Sequence, residues 1–211
     1  MKTFLITAGP TIEPIDPVRY ISNYSTGEMG YKLAAAARKR GNKVVLISGP
    51  TKLLPPKGVK FIPVKTALEM RKAVLRYFRG ADCVIMTAAV ADFRPADFSG
   101  KKLKKGAKEE YFLRLLRNSD ILSELGRRKG SKILIGYSLE TGNHIENARH
   151  KMKSKNLDLI VVNGAGRFSS PFGKGEKDLV IISRKGGLTA FKAVTKEKIS
   201  HILLDKIGIL W

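Results

Sequence analysis

The clearest candidates for ligand binding are residues 25–30, the run Ser-Thr-Gly-Glu-Met-Gly that opens the first predicted helix. A helix start offers backbone N–H groups without partners inside the helix and a partial positive charge. Gly27 and Gly30 have no side chains, so a phosphate can approach the backbone there. The spacing is that of a dinucleotide fingerprint with Ser25 in place of the first glycine. Taken alone, the run fits anion binding and plain helix packing equally well.

The connection before this helix departs from a standard dinucleotide-binding turn, which follows the first strand directly. Here residues 8–24 separate Thr7 from the helix start. Pro14 and Pro17 flank Asp16 and predict an extended, rigid path rather than a flexible loop. That path ends at Asn23, whose amide can donate to an oxyanion and accept from an amine. We interpret the segment as part of a ligand site; the alternative is an elaborate structural connection.

The chain is strongly basic, with 40 Lys and Arg against 18 Asp and Glu among 211 residues and a net charge of +22. Such a balance attracts anions, including nucleic acid and phosphorylated metabolites. The charges are dispersed, with denser patches at residues 101–105, 127–129 and 149–155, and no zinc-finger spacing or RNA-binding aromatic motif accompanies them. A basic surface around a phosphate-rich active site explains the charge better than nucleic-acid binding, and we expect no nucleic-acid partner.

The sequence predicts a cytoplasmic protein without membrane association. No apolar run approaches the roughly 18 residues of a membrane-spanning helix, and the start of the chain has no small-residue cleavage site of a signal peptide. The single cysteine, Cys83, excludes an internal disulfide and fits a reducing compartment. Its apolar surroundings in the sequence favour a buried thiol over a nucleophile.

Strand and helix patterns alternate and predict one α/β domain over residues 1–211, a doubly wound (Rossmann-like), mostly parallel sheet. Gly186 and Gly187 separate two strand-like runs and indicate a C-terminal hairpin. A third helix is predicted over residues 120–128 with Ser119 as its N-cap. The polar, lysine-rich residues 94–108 are long for a connection in a compact domain. They predict either a functional, mobile flap or disorder.

Several blocks together resemble phosphopantothenoylcysteine synthetases, also called phosphopantothenate–cysteine ligases. The resemblance begins with residues 6–11, 14–23 and 25–30 and continues through residues 88–94, 102–105 and 118–122. It ends with residues 136–143, residues 148–163 and the closing hairpin and helix. Nearly the whole chain is covered in the family's order, which is far more specific than any single block.

The resemblance implies an enzyme of coenzyme A synthesis whose substrates are 4′-phosphopantothenate, L-cysteine and CTP. The substrate carboxylate attacks the α-phosphate of CTP, which gives an acyl-cytidylate and pyrophosphate, and the cysteine amine then displaces CMP. Mg²⁺ is expected to arrive with the triphosphate, since the histidines and Cys83 form no metal-ligand spacing. Family members form homodimers with active-site parts crossing the interface. Many are fused to a flavin-dependent decarboxylase, so the chain is either a stand-alone ligase or an excised domain.

The family's functional residues map onto this chain in three groups. Asn23 and Lys102 match the catalytic residues, with Lys102 in the family's mobile lysine loop. The substrate-binding positions are Asn23, Ala88, Ala89 and Asp92. The nucleotide-binding positions are Gly9, Ser25, Gly27, Gly30, Asp92, Lys102, Ser119, Asp120, Ile121, Leu122, Tyr137, Lys151, Lys155 and Asn163.

The chain departs from the family where the base of the nucleotide is contacted. Ser119 stands where the family usually has proline, and Tyr137 stands where it often has phenylalanine. These differences leave an ATP-using version of the same ligase open. A short-chain-type NAD(P) oxidoreductase is the rival enzyme; it requires a tight glycine turn, an acid after the second strand and a Tyr-x-x-x-Lys pair, which the sequence lacks. A non-catalytic binding protein is the other alternative.

Overall fold

The computed structural model describes residues 1–104, 110–140, 143–164 and 175–211. In these ranges the strands, numbered in chain order, are β1 (Thr3–Ala8), β2 (Ile12–Pro14), β3 (Tyr20–Ser22), β4 (Lys43–Ser48), β5 (Lys60–Pro63), β6 (Cys83–Met86), β7 (Phe93–Pro95), β8 (Leu115–Arg117), β9 (Ile133–Glu140), β10 (Leu159–Gly164), β11 (Lys177–Ser183) and β12 (Leu188–Val194). The helices are α1 (Glu28–Lys39), α2 (Ala67–Phe78), α3 (Ile121–Arg127), α4 (His144–Ser154) and α5 (Lys196–Gly208).

The main sheet has the strand order β12-β11-β10-β9-β6-β1-β4-β5. Its six strands from β10 to β5 pair in parallel, and β11 pairs antiparallel with both of its neighbours. The chain runs from β1 outward to β4 and β5, and it returns to the other side of β1 with β6. The gap between the carboxyl ends of β1 and β6 is therefore a topological switch point, where ligands bind in sheets of this kind.

Helices cover both faces of the sheet, because the parallel strands are apolar on both sides. Ile6 of β1 packs in the core under α1 and α5, and its neighbour Leu5 packs in the core under α2, α3 and α4. All four residues of β6 are buried, including Cys83. The predicted doubly wound architecture, the C-terminal hairpin β11–β12 and the buried thiol are confirmed. No helix among the residues described combines the length and the apolar character that crossing a bilayer requires.

The predicted cap of the third helix is wrong. The N-cap residue is Asp120, whose carboxylate accepts a hydrogen bond from the Ser123 backbone N–H at 2.9 Å, and the helix begins at Ile121. Ser119 lies one residue outside and is exposed. Asp and Ser are comparable capping residues, so the choice depends on Ile121 and Leu122 entering the core, which sets where the first turn starts.

Two small hairpins lie outside the main sheet, and the sequence analysis missed both. β2 pairs with β3 inside the connection that precedes α1, and β7, at the start of the lysine-rich stretch, pairs with β8 beyond its end. Strands of three residues carry too little periodicity to be read from the sequence. Residues 105–109 of the lysine-rich stretch, including Lys105, lie outside the described residues.

Candidate functional site

A cavity of about 410 Å³ opens at the switch point between the carboxyl ends of β1 and β6. It extends past the ends of β9 and β10 towards the first turns of α1 and α5. Ten of the sequence-predicted site residues line it: Asn23, Ser25, Gly27, Gly30, Ala88, Ala89, Asp92, Tyr137, Lys151 and Asn163. Residues spread over positions 23 to 163 are therefore brought to one site.

Asn23 reaches the site across the carboxyl edge of the sheet. Its Nδ2 donates a hydrogen bond to the Ala89 carbonyl at 2.9 Å, and the same carbonyl accepts from the Thr11 backbone N–H at 3.1 Å. The Ala89 N–H in turn donates to the Gly9 carbonyl at 2.9 Å. The segment after β6 is thus fixed to the segment after β1, and Asn23 is exposed beside the backbone of both.

Three glycines allow the start of α1 to approach the sheet closely. Gly9 and Gly27 have φ values of 72° and 77°, in the left-handed region that favours glycine. A Cβ on Gly30 would lie 2.6 Å from both the Ala8 Cβ and the Thr87 Oγ1. Gly9 is buried under Gly27 and does not line the cavity. Gly9 therefore acts on the site by letting the helix start settle onto β1.

The first turn of α1 is suited to an anion. Its N-cap residue is Gly27, which has no side chain to cap the turn, and the Gly27 N–H is contacted by Ser25 Oγ at 3.3 Å. The N–H groups of the first turn have no partner further back in the helix and carry the positive end of its dipole. The walls of the cavity include this turn. The geometry agrees with the phosphate-binding interpretation of residues 25–30.

Glu28 and Lys196 also line the cavity, and the sequence analysis missed this pair. Lys196 Nζ lies 2.5 Å from Glu28 Oε2, and the lysine side chain is 11% exposed. Lys196 stands in the first turn of α5, where the helix dipole disfavours a cation. A lysine at an unfavourable position in a helix was therefore the one sequence feature that could have indicated a role for Lys196. The pairing itself spans 168 positions and follows only from the packing of α5 beside α1.

The wall opposite α1 is built from side chains on β9, α4 and β10. Lys151 of α4 donates from its Nζ to the Tyr137 carbonyl at 3.0 Å, and Asn163 stands near the end of β10. Tyr137 packs against the core under α1 and α5, with its hydroxyl buried. Among the residues described, this hydroxyl has no hydrogen-bond partner, and burial raises its pKa well above the usual range. Tyr137 is therefore a neutral residue with an unsatisfied polar atom in the wall.

Besides Gly9 and Lys102, five predicted nucleotide-binding residues lie outside the cavity lining: Ser119, Asp120, Ile121, Leu122 and Lys155. Ile121 and Leu122 are buried in the core, while Ser119 is exposed before α3. Lys155 follows α4 and pairs with the Asp120 carboxylate, Nζ to Oδ2 at 2.8 Å. This contact, which lowers the pKa of Asp120 against the effect of its partial burial, joins two predicted residues to each other. Lys151 and Lys155 thus have different partners.

Lys102 is exposed and lies outside the cavity lining. Its neighbour Leu103 is bound at its backbone by residues of the proline-flanked turn. Leu103 N–H donates to Asp16 Oδ2 at 3.1 Å, and the Leu103 carbonyl accepts from Arg19 Nη2 at 2.9 Å. The lysine-rich segment is therefore attached to the same connection that ends at Asn23.

Carboxylates are sparse around the site. Asp92 and Glu28 line the cavity, and Glu28 is paired with Lys196. No group of three or more His, Cys, Asp or Glu side chains among the described residues is arranged to hold a metal. Among the described residues, Asp92 has no lysine partner. Its carboxylate suits a metal ion that arrives already coordinated by phosphate oxygens, because Mg²⁺ keeps several waters and takes few protein ligands.

Comparisons with known proteins identify the family of the chain. The family model of the DNA/pantothenate metabolism flavoprotein C-terminal domain matches residues 1–210. The chain is 45% identical to the coenzyme A biosynthesis bifunctional protein CoaBC of Bacillus subtilis over 99% of this chain and 52% of that protein. It is 43% identical to a cysteine/cysteine sulfinic acid decarboxylase of an unknown prokaryotic organism, over 98% of this chain and 58% of that protein. The chain spans little more than half the length of these relatives.

A solved structure of a relative has the same fold. The crystal structure of the C-terminal domain of a bifunctional CoaBC protein superimposes with a TM-score of 0.85 at 36% identity. The match covers 99% of this chain and 95% of that one. The similarity therefore extends over the whole α/β domain, including the strands that form the cavity.

Proposed function

The chain belongs to the family of the DNA/pantothenate metabolism flavoprotein C-terminal domain, and from that premise we propose that it joins 4′-phosphopantothenate to L-cysteine. CTP is the proposed nucleotide, converted to CMP and pyrophosphate. The observation that carries the proposal is the cavity where Asn23, the uncapped start of α1 and the backbone after β6 meet. This combination offers donors for phosphate and for a reacting carboxyl group at one place.

The first step activates a carboxylate. The carboxylate of 4′-phosphopantothenate attacks the α-phosphorus of CTP, a bond to the carboxylate oxygen forms, and pyrophosphate leaves. Both reactants are anions, so the domain must offset concentrated negative charge. The backbone N–H groups in the first turn of α1, which follow Gly27, receive the phosphates, and small side chains at Ala88 and Ala89 let the pantothenate part lie against the backbone. Catalysis rests on positioning and charge stabilisation, without a protein nucleophile.

The second step makes the amide. The amine of cysteine attacks the acyl carbon of the acyl-cytidylate, CMP leaves, and the amine loses a proton. The Asn23 amide is a neutral group that can donate to the developing oxyanion and accept from the amine. Its hydrogen bond to the Ala89 carbonyl holds it beside the pantothenate position. Lys102 supplies positive charge to the transferring groups from the lysine-rich segment.

The base of the nucleotide lies towards β9 and β10 in this proposal. Tyr137 and Asn163 line that end of the cavity, and Lys151 brings a cation to it. Mg²⁺ bound to the triphosphate would lie by Asp92 and would supply charge neutralisation. The same wall also accommodates ATP in the alternative version of the ligase, since the predicted base contacts are where the chain differs from its family.

We further propose that the domain acts as a homodimer through the β7–β8 hairpin. A two-stranded sheet is marginal by itself and has open edges. Exposed apolar side chains are concentrated on and around it: Phe93, Phe98, Tyr111, Phe112, Leu115 and Leu116. A second copy presents the same apolar surface under twofold symmetry. Sedimentation is expected to give twice the mass of the chain, and Phe112→Glu is expected to reduce it to that of one chain.

The activity is tested with 4′-phosphopantothenate, L-cysteine, magnesium and each of the four nucleoside triphosphates, with pyrophosphate and amide product measured separately. Release with CTP and little release with the others supports the full proposal. Release with ATP selects the alternative nucleotide. No release with any of the four, or carbon dioxide from cysteine in the absence of nucleotide, would rule out the ligase.

Asn23→Asp separates the two steps. A carboxylate in place of the amide keeps the size but repels a developing oxyanion, so pyrophosphate release is expected to persist while amide formation falls by about 100-fold. Asn42→Asp is the control, because Asn42 directly precedes β4 and bonds Lys2 before β1, at the amino edge of the sheet, whereas the cavity lies at the carboxyl edge. Unchanged amide formation in Asn23→Asp removes this residue from the mechanism.

A further inference from the structure

The proline-flanked turn at residues 15–19 is organised around a buried carboxylate. Asp16 is 3% exposed and accepts hydrogen bonds from the backbone N–H groups of Val18 and Arg19, both at 2.8 Å. The Arg19 guanidinium also donates to Asp16 Oδ2, from Nε at 3.0 Å and from Nη2. The turn is therefore closed by bonds among its own residues, between the Asp16 carboxylate and the N–H groups and guanidinium that follow it.

The same two side chains bind the lysine-rich segment by its backbone. The Leu103 N–H donates to Asp16, and the Leu103 carbonyl accepts from Arg19, so both polar groups of one residue are held. A third bond joins the Ser99 N–H to the Ile15 carbonyl at 3.0 Å. These contacts leave the side chains of Lys102 and Lys104 exposed. The turn therefore fixes the position of the segment through its backbone and makes these bonds without using the lysine side chains.

The charge of Asp16 makes these contacts strong. The Arg19 guanidinium, helped by the backbone donors, holds the pKa of Asp16 well below its usual range despite burial. The carboxylate is therefore ionised at neutral pH. Hydrogen bonds to an ionised group are about twice as strong as those between neutral groups. Leu103 donates one such bond to Asp16 and accepts one from Arg19.

The turn is also continuous with Asn23. It connects β2 to β3, whose register places Pro14 opposite Tyr20 and Ile12 opposite Ser22. Ser22 Oγ donates to the Thr11 carbonyl at 2.8 Å, and the next residue is Asn23, bound to Ala89. One rigid hairpin thus holds the lysine-rich segment at its tip and Asn23 at its base.

We infer that Asp16, together with Arg19, is a positioning residue that sets Lys102 relative to Asn23 for the acyl transfer. The inference rests on the proposed function. Lys102 and Asn23 are proposed to act on the same reacting groups. The rate increase from two such groups is largest when their separation is fixed before the substrates bind. Asp16 touches neither substrate; it acts through the backbone of Leu103.

The test uses Asp16→Asn, which keeps the shape of the side chain and removes its charge. Whichever way the amide is turned, its NH₂ group faces donors, either the Leu103 N–H and the Arg19 guanidinium or the turn N–H groups. Asp97→Asn is the matched control, since Asp97 lies in the same segment ahead of its lysines and pairs with Arg114 in an exposed contact. Arg19→Lys is the second variant. It leaves the carboxylate and the turn N–H bonds in place, but a lysine cannot bond both Asp16 and the Leu103 carbonyl as the guanidinium does.

Trypsin gives a readout that needs no activity. Losing a charged hydrogen bond changes a local equilibrium by about 10- to 100-fold. Cleavage of the native protein after Lys101, Lys102 or Lys104 is therefore expected to be about 10-fold faster or more in Asp16→Asn and Arg19→Lys. Asp97→Asn is expected to be cleaved at the unmodified rate. Equal cleavage rates in all three variants and the unmodified protein would overturn the inference.

Kinetics then separates positioning from general damage. The kcat for amide formation is expected to fall about 10- to 100-fold in Asp16→Asn, with a smaller change in the KM for CTP, because the helix start at Gly27 is untouched. In the Lys102→Ala background, Asp16→Asn is expected to add little further loss, since residues that act through one another are not additive. A full additional loss in the double variant, or an unchanged kcat in Asp16→Asn, overturns the positioning role.

The two proposals fail in different ways. An unmodified protein that forms no amide with any nucleotide ends the ligase proposal, and the trypsin comparison still decides whether Asp16 holds the segment. An active unmodified protein whose Asp16→Asn variant keeps its kcat leaves the ligase standing and ends the inference. If Asp16→Asn does not fold, Arg19→Lys carries both measurements.

Discussion

The two sides of the cavity are built by different means. The side formed by β1, β6 and the start of α1 is made by backbone in close contact, with Gly30 over Ala8 and the Ala89 N–H bound to Gly9. The side formed by β9, β10 and α4 is made by side chains, with Lys151, Tyr137 and Asn163 reaching in. Backbone contacts tolerate no added atom, whereas side chains can be exchanged. We expect the first side to be rigid and the second to vary between relatives.

One of the two departures from the family pattern falls on the side built from side chains. Tyr137 lines that side of the cavity, whereas Ser119 lies outside the lining, and the run at residues 25–30 has the form expected of the family. A phosphate presents the same oxygens in every nucleotide, so the surface that receives it has one solution. The base differs between nucleotides, and a wall of side chains can be adjusted to it.

The largest expected effect comes from adding one methyl group to the rigid side. In Gly30→Ala the new Cβ would lie 2.6 Å from the Ala8 Cβ and the Thr87 Oγ1 and 2.9 Å from the Thr7 carbonyl oxygen. Overpacking costs about 1–3 kcal/mol or more when backbone must shift. Urea unfolding is expected to show this loss, and calorimetry is expected to show no CTP binding.

Gly80→Ala is the control for that change. A Cβ at Gly80 would meet no atom within 4 Å in the part of the chain that the structure describes. Its free energy of unfolding is expected to stay within about 0.5 kcal/mol of the unmodified protein. If Gly30→Ala behaves like Gly80→Ala, the start of α1 is not packed rigidly and the contrast between the two sides is lost.

A smaller effect is expected on the adjustable side, where two lysines are compared. Lys151→Ala removes a cation from the cavity wall, and CTP affinity is expected to fall about 10- to 100-fold, the range of a charged hydrogen bond. Lys155→Ala breaks a partly exposed ion pair with Asp120 and is expected to change CTP affinity by less than about threefold. Titration calorimetry measures both. Equal losses would extend the nucleotide site to Lys155 and Asp120.

The smallest expected effect is on the free energy of unfolding, which should change in opposite directions when each of two tyrosines is replaced by phenylalanine. Tyr137→Phe removes a buried hydroxyl without a partner among the described residues, and the free energy of unfolding is expected to rise by about 1 kcal/mol. Tyr31→Phe removes a hydroxyl that is bonded to Thr51 Oγ1 at 3.1 Å, and it is expected to lower the free energy by about 1 kcal/mol. Urea unfolding of both variants checks the pair. A loss in Tyr137→Phe shows that the hydroxyl is bonded in solution.

The amino-acid sequence by itself determined the fold class and the elements of the main sheet, but not the two small hairpins. Period-two and helical patterns, the glycines around α1 and the Gly186-Gly187 turn are local signals, and each reports the conformation of its own segment. They were sufficient for the doubly wound sheet and the buried Cys83. Asn23, Ala88 and Ala89 were proposed as substrate-binding residues from the resemblance to the ligase family, and they lie together because parallel strands bring the segments after them to one edge.

Only the tertiary structure decided which side chains meet. The hydrogen bond from Leu103 to Asp16 joins residues 87 positions apart, and the Lys196–Glu28 ion pair joins residues 168 positions apart. No local sequence pattern predicts either contact. The choice of Asp120 over Ser119 as cap and the separation of Lys151 from Lys155 followed from how α3 and α4 settle on the sheet. Sequence spacing fixes neighbours within one element. The distances between elements are set by the packing of the whole core, and the site is assembled from those distances.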